Sequence, residues 1–192
     1  MYHEDWRDII RNGIHTGDSN AVVNLIEFAD FECPACKFYH ESVVPRIRSK
    51  FGPKVSIVHV HFPLQGHKFA MSAAIAAECA FLQGRFEQFA DAVYSQQDSI
   101  GLKSWGQFAL AAGVDTTALV RCVTNPPLMP RIETGLALAS KMQLHATPTI
   151  FINGWRFPTP PPADEVIRVV EAILSDHDPF PGRRSADEVR GG

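Results

Sequence analysis

The segment FECPACKFYH, residues 31–40, sets Cys33 and Cys36 three positions apart, with Pro34 directly after the first. Two thiols at this spacing can supply half of a metal site, close a small structural staple, or exchange electrons with other thiols. The spacing alone leaves all three open. If Cys33 opens a helix, unpaired backbone N–H groups and the helix dipole stabilise its thiolate, making the sulfur a better attacker and a better leaving group. Cys33 is then the exposed attacking thiol, and Cys36, one turn in, the buried resolving thiol. Exchange between such a pair and a substrate runs through a mixed disulfide.

A structural zinc site usually needs four ligands, and the chain has no second C-x-x-C. His59 and His61 alternate onto one strand face and His40 lies four residues beyond Cys36, but these do not assemble a tetrahedral set. We expect no metal and no cofactor. Cys79 and Cys122, 43 positions apart in helical sequence, complete the four cysteines. From spacing they are either two separate core thiols or a second pair.

The elements that must position Cys33 are readable on both sides. AVVNLIEFAD (21–30) is rich in branched apolar residues and reads as a strand ending just before the pair. Alternation places Glu27 on the opposite face from Ile26 and Phe28. Pro34 suits a first helical position, where its missing N–H costs nothing. Tyr39, Val43 and Ile47 then share a helical face, and Pro45 predicts a kink. KVSIVHVHF (54–62) reads as a second strand, parallel to the first in a β-α-β unit. From His67 to about Leu144 the pattern is helical, broken at Gly84, Gly101, Gly113 and the Asn125-Pro126-Pro127 segment. A strand at 149–152, the Asn153-Gly154 hairpin turn, a short return strand from Trp155 and a helix over 163–174 close the pattern. Phe38, Tyr39, Phe62, Phe81, Phe86, Phe89 and Phe108 are assigned first to packing.

At 192 residues, with a 45% apolar fraction and a net charge of -3, the chain can bury a substantial core. Its 18 basic and 21 acidic residues form no phosphate-tracking stripe, so no nucleic-acid partner is expected. No stretch reaches transmembrane length, and the acidic, amphipathic start lacks the apolar core of a signal peptide. Two placements follow: a cytoplasmic protein, or a periplasmic or otherwise extracytoplasmic one whose targeting segment is absent from this sequence.

Three segments together resemble the thioredoxin superfamily and, within it, the DsbA-like disulfide oxidoreductases. EFADFECPACKFYH looks like the family's strand, active-site link and first helix. FPLQGHKFAMSAAIAAECAFLQGRFEQFADAVY is similar to the start of its inserted helical subdomain. ATPTIFING resembles the loop and strand facing the redox pair. The resemblance implies an α/β fold, a thioredoxin-like central sheet with an inserted all-helical subdomain. It divides the chain into an arm (1–20), a thioredoxin-like domain (21–66 and 128–174), a helical insert (67–127) and a flexible tail (175–192).

The resemblance also implies roles. Cys33 and Cys36 are catalytic, with Pro34 and Ala35 between them. Thr147-Pro148 is a cis-proline pair beside the sulfurs, and the Thr147 backbone meets bound peptide. A buried acid that relays the resolving thiol's proton points to Glu27; Glu32 and His145 are further candidates for electrostatic tuning. Some relatives carry paired cysteines in the helical subdomain, which implies a Cys79–Cys122 disulfide and favours an oxidising compartment. Two departures bear on redox poise: the central dipeptide is Pro34-Ala35 where strongly oxidising members carry proline-histidine, and Ala146 stands where a glycine often precedes threonine-proline. The implied function is transfer of the Cys33–Cys36 disulfide to reduced protein substrates, followed by reoxidation by a redox partner. A reductase or isomerase, and a redox-inactive peptide-binding or chaperone module, are the alternatives.

Overall fold

Branched apolar residues build the two central strands, β2 (Val23–Ala29) and β3 (Val55–His61), in which every residue is buried. A strand covered on both faces loses the alternation of a half-exposed one, so Glu27 is buried despite lying on the opposite face from Ile26 and Phe28. The computed structural model describes residues 1–181; the remainder of the expected tail, 182–192, lies outside them. Strands β1 (Ile14–Thr16), β4 (Thr149–Ile152) and β5 (Trp155–Arg156) complete a five-stranded sheet of order β1-β3-β2-β4-β5. β1 runs antiparallel to β3, β4 antiparallel to β2 and β5 antiparallel to β4. The three-residue β1 gives no periodic signal, which is why it is invisible in the sequence. This is the expected thioredoxin-like sheet, joined in the same chain to a helical insert.

The described chain forms two compact units. One takes Met1–Phe28, Ser42–Val60 and the chain from Thr149; the other takes Ala29–Glu41 and His61–Pro148. The first holds the sheet with α1 (Trp6–Asn12), α3 (Val44–Phe51) and α9 (Ala163–Leu174), and α3 packs on α9. The β4–β5 turn places Asn153 at φ 42° and Gly154 at φ 90°, the left-handed pair that a two-residue hairpin requires. Gly154 is also sterically obligatory: a Cβ there would sit 2.6 Å from Trp6 Cδ1 and 2.8 Å from the His3 carbonyl oxygen. In the tail segment that begins at Ser175, the Phe180 ring lies 4.9 Å from that of Trp155.

The second unit begins with the short helix α2 (Pro34–Phe38). It continues through α4 (Ala70–Phe81), α5 (Phe86–Ser95), α6 (Trp105–Ala111), α7 (Thr116–Thr124) and α8 (Pro130–Lys141). Alanines 73, 74, 76, 77 and 80 of α4 are buried, and their small side chains let α5 and α7 pack against it. Cys79 on α4 and Cys122 on α7 form a disulfide with an S–S distance of 1.99 Å. The neighbouring Glu78 is buried, within 3.1 Å of His61 Nε2 and 3.3 Å of Arg131 Nη1.

Glu27 generates the first prediction. Its Oε1 has no hydrogen-bond partner among the described residues, and burial raises its carboxyl from 4.5 to about 7, against the opposing charge of Arg48. An acid raised on folding stabilises the native state in its protonated form. That contribution is complete below the unfolded value and is lost as pH rises through 7. The interval corresponds to about 3 kcal/mol. Urea unfolding at about pH 5 and about pH 8 should show Glu27→Gln stabilising the protein selectively at the higher pH. Equal effects at the two pH values would contradict this. The second prediction concerns the disulfide, which closes a loop of sequence separation 43. Cys79→Ala/Cys122→Ala should lower unfolding free energy by about 4 kcal/mol in the chain-entropy model, read from the denaturant midpoint. A loss below about 1 kcal/mol would show that the bond contributes little to stability.

Candidate active site

Cys33 sits at the N-cap of α2 in extended backbone, φ -80° and ψ 120°, with Pro34 in the first helical turn. Its N–H donates to the Asp30 carbonyl at 3.1 Å, and its own carbonyl accepts from Lys37 N at 3.1 Å. The expected long helix is interrupted. α2 lasts five residues and passes into a π-helical turn, Tyr39–Val43, before α3 opens with Pro45 in its first turn. Proline at that point has no N–H to complete a regular ladder, and the wider turn absorbs the break. So short a helix carries little cumulative dipole, and individual donors around the sulfur matter more.

Both thiols are free and both are buried; Cys33 is 7% exposed and Cys36 3%. The expected contrast in exposure is therefore small, and the contrast between the two lies in electrostatics. The Cys33 thiol is lowered from 9.0 to about 5, chiefly by a hydrogen bond from Cys36. The Thr147 side chain and the N–H groups of Cys36 and Ala35 assist, against the opposing effect of burial. Cys36 is raised well above 9.0, first by burial and then by its hydrogen bond to Cys33 and the charge on that sulfur.

Thr147 closes the site from the far end of the unit. Its peptide bond to Pro148 is cis, and its carbonyl accepts from Cys33 Sγ at 3.3 Å. Its buried hydroxyl has no hydrogen-bond partner among the described residues, and the side chain favours the Cys33 thiolate. Thr147 is 9% exposed, so in this state its backbone faces the sulfur rather than open solvent.

Asp30, His67 and Gln97 have no role in the sequence reading, yet they hold the loop. The buried Asp30 carboxylate accepts from Glu32 N at 2.8 Å and Leu64 N at 2.9 Å, and lies 2.7 Å from His67 Nδ1. The Asp30 N–H points to Cys36 Sγ at 3.5 Å. Buried Gln97 donates from Nε2 to the carbonyls of Phe31 at 2.8 Å and Cys33 at 3.0 Å. Burial alone would lower His67, but its hydrogen bond to Asp30 and the charges of Asp30, Cys33 and Glu32 raise it overall. An acid two residues before Glu32 and a histidine after the second strand were visible in the sequence. Nothing local marked them as partners.

The other expected residues divide. Glu32 is half-buried rather than exposed, and its Oε2 accepts from Phe69 N at 2.6 Å. His145 is exposed in the loop before Thr147, and its side chain has no hydrogen-bond or ion-pair partner among the described residues. Glu27 belongs to the sheet unit, whereas Cys33, Cys36, Thr147 and Pro148 all belong to the helical unit. Pro34 and Ala35 are exposed between the two cysteines. Among the aromatics assigned to packing, Phe38 on α2 is 65% exposed, whereas Tyr39, Phe86, Phe89 and Phe108 are buried. Among the described residues no cluster of histidine, cysteine and carboxylate side chains has metal-binding geometry. No described helix is long and apolar enough to cross a membrane.

The family described as Thioredoxin matches residues 10–172. Among solved structures, oxidised BdbD from Bacillus subtilis superposes with a TM-score of 0.77 at 24% identity, covering 86% of this chain and 95% of that one. The probable disulfide bond formation protein D of Bacillus cereus is 25% identical over 150 residues, 72% of this chain and 68% of that protein. The Na(+)/H(+) antiporter NhaA 1 of Mycolicibacterium gilvum is 35% identical over 159 residues, 81% of this chain but 26% of the antiporter. The chain thus spans about a quarter of the length of the first curated relatives it matches.

The separation of the two thiols predicts a labelling pattern. Reduced protein treated with iodoacetamide over a pH series should lose Cys33 first, with a half-maximal rate near 5, and Cys36 should resist throughout the neutral range. Peptide mapping reads both sites in one sample. Equal labelling of the two cysteines at neutral pH would contradict the asymmetry.

Proposed function

Because the chain belongs to the thioredoxin family and carries a DsbA-like form of its fold, we propose that it is a protein thiol–disulfide oxidoreductase acting as an oxidase. The observation that carries this reading is the placement of Cys33 at the start of α2, with Cys36 one turn in and Cys33 Sγ 3.3 Å from the carbonyl oxygen of the cis Thr147–Pro148 bond; the lowered Cys33 and raised Cys36 accord with it. A substrate thiolate attacks Cys33 Sγ in the Cys33–Cys36 disulfide. The S–S bond breaks, Cys36 leaves with the electron pair and takes a proton, and a mixed disulfide joins substrate to Cys33. A second substrate thiolate then attacks the substrate sulfur of that mixed disulfide, and Cys33 departs as a thiolate. Two electrons have passed from the substrate dithiol to the Cys33–Cys36 pair, and a partner disulfide removes them to restore the oxidised form.

The low value of Cys33 favours the oxidase direction, since a stabilised leaving thiolate speeds release and stabilises the reduced form. Thr147 and Pro148 are the residues proposed to meet the substrate backbone, and the exposed Phe38 offers apolar surface to an unfolded chain. The Bacillus cereus relative, a probable disulfide bond formation protein, supports the same chemistry. The Cys79–Cys122 bond favours work in an oxidising, extracytoplasmic compartment.

Equilibration with glutathione redox buffers tests both activity and direction. A potential near about -120 mV is expected for an oxidase, and one near about -270 mV would mark a reductase. Cys33→Ala should abolish exchange, while Cys36→Ala should accumulate mixed disulfides through Cys33. Peptide binding that persists with no thiol turnover would instead identify a redox-inactive binding module.

A further inference from the structure

The Asp30–His67 pair is not absorbed by the exchange chemistry above, although it touches the loop that carries it. The Asp30 side chain is 0% exposed, and the His67 side chain, at 28%, is its neighbour at 2.7 Å. The same aspartate meets both cysteines through its backbone: its carbonyl accepts from Cys33 N, and its N–H points to Cys36 Sγ. A full negative charge buried here, with Glu32 close by, opposes a second negative charge on Cys33 unless a cation offsets it. His67 contacts Asp30 at 2.7 Å, and the charges of Asp30, Cys33 and Glu32 in the 30–33 segment all act on it. On its own segment the adjacent Lys68 has its ammonium 5.0 Å from the Phe69 ring centre.

The geometry points to Asp30 and His67 as a positioning ion pair for the redox centre, in which the imidazolium offsets the buried carboxylate and thereby sustains the Cys33 thiolate. This rests on the reading of Cys33–Cys36 as an exchanging pair. Neither residue contacts substrate in this role; Asp30 shapes the loop and His67 supplies the compensating charge. Loss of that charge leaves the Asp30 carboxylate uncompensated in the loop that carries Cys33, disfavours the Cys33 thiolate and makes the protein a weaker oxidant. The raised titration of His67 is in keeping with this arrangement.

Linkage makes the proposal testable in the unmodified protein. If protonated His67 favours the Cys33 thiolate, the thiolate must favour protonated His67 by the same factor. The His67 imidazole resonances should therefore titrate at higher pH in the reduced protein than in the Cys33–Cys36 disulfide form, by about threefold in proton affinity or more. His67→Asn retains a donor toward Asp30 without the charge. It should raise the Cys33 thiolate midpoint, followed by absorbance at about 240 nm, and reduce the glutathione equilibrium constant by about threefold or more. His67→Lys, which restores a cation, should return both toward wild type, and Asp30→Asn/His67→Asn should recover part of the loss. Identical His67 titrations in the two redox forms would overturn the proposal even if the Asn variant failed to fold. So would a folded His67→Asn variant within about twofold of wild type in both readouts. Wild-type protein that exchanges normally while these measurements stay flat sinks the ion pair alone. Wild-type protein that never equilibrates with glutathione sinks the oxidoreductase reading and the ion pair together.

Discussion

A carboxylate with no access to water must find its donors within the protein, and Asp30 finds them from two directions. Glu32 N lies in its own loop; Leu64 N and His67 Nδ1 lie more than thirty residues away in sequence. An unpaired buried carboxylate is costly, so loss of any one donor strains the whole closure. The segment carrying Cys33 is thereby tied to the one that follows the second central strand. Gln97 supplies a second tether by donating to the carbonyls of both Phe31 and Cys33. The position of the sulfurs depends on this network, because α2 is too short to impose it.

Once the loop is held, the chemistry follows from who donates to whom. Cys33 receives the Cys36 thiol, the Thr147 side chain and two backbone N–H groups, all of which favour its anion. Cys36 has burial and an adjacent negative sulfur, both of which favour its neutral form. The two thiols are nearly equal in exposure, so reactivity here is a matter of hydrogen-bond direction and local charge rather than access. The Cys33 thiol donates to the Thr147 carbonyl, and the Thr147 side chain favours the thiolate form.

The helical unit supplies the frame for this loop. Small alanines allow α4 to lie close to α5 and α7, and the Cys79–Cys122 bond joins α4 to α7 where they meet. Gly101 at φ 83° leaves space that the Phe69 ring fills; a Cβ there would come within 2.2 Å of the ring. The Phe69 backbone N–H in turn holds Glu32, one residue before Cys33. Packing inside the helices and the geometry of the thiol loop are thus connected through ordinary contacts.

The sequence alone carried the thiol pair, the helix start at Pro34, the central strands and the Asn153-Gly154 hairpin, because each is written in neighbouring residues. Resemblance added the thioredoxin-like sheet with its helical insert, and directed attention to Thr147-Pro148. Tertiary structure decided the rest. Glu27 and Glu32 look alike as carboxylates near a thiol, but only the covering of β2 on both faces makes Glu27 a buried, raised acid. The short β1 and the π-helical turn arise from pairing and from a proline's missing donor, with no periodicity to announce them. Asp30 and His67 are 37 positions apart, and Gln97 reaches Cys33 across 64. Hydrogen bonds over such separations leave no local pattern, since any suitable polar residue that the fold brings within reach can make them. The thiol spacing was therefore legible from the sequence, whereas the charges and donors that distinguish one sulfur from the other required the folded chain.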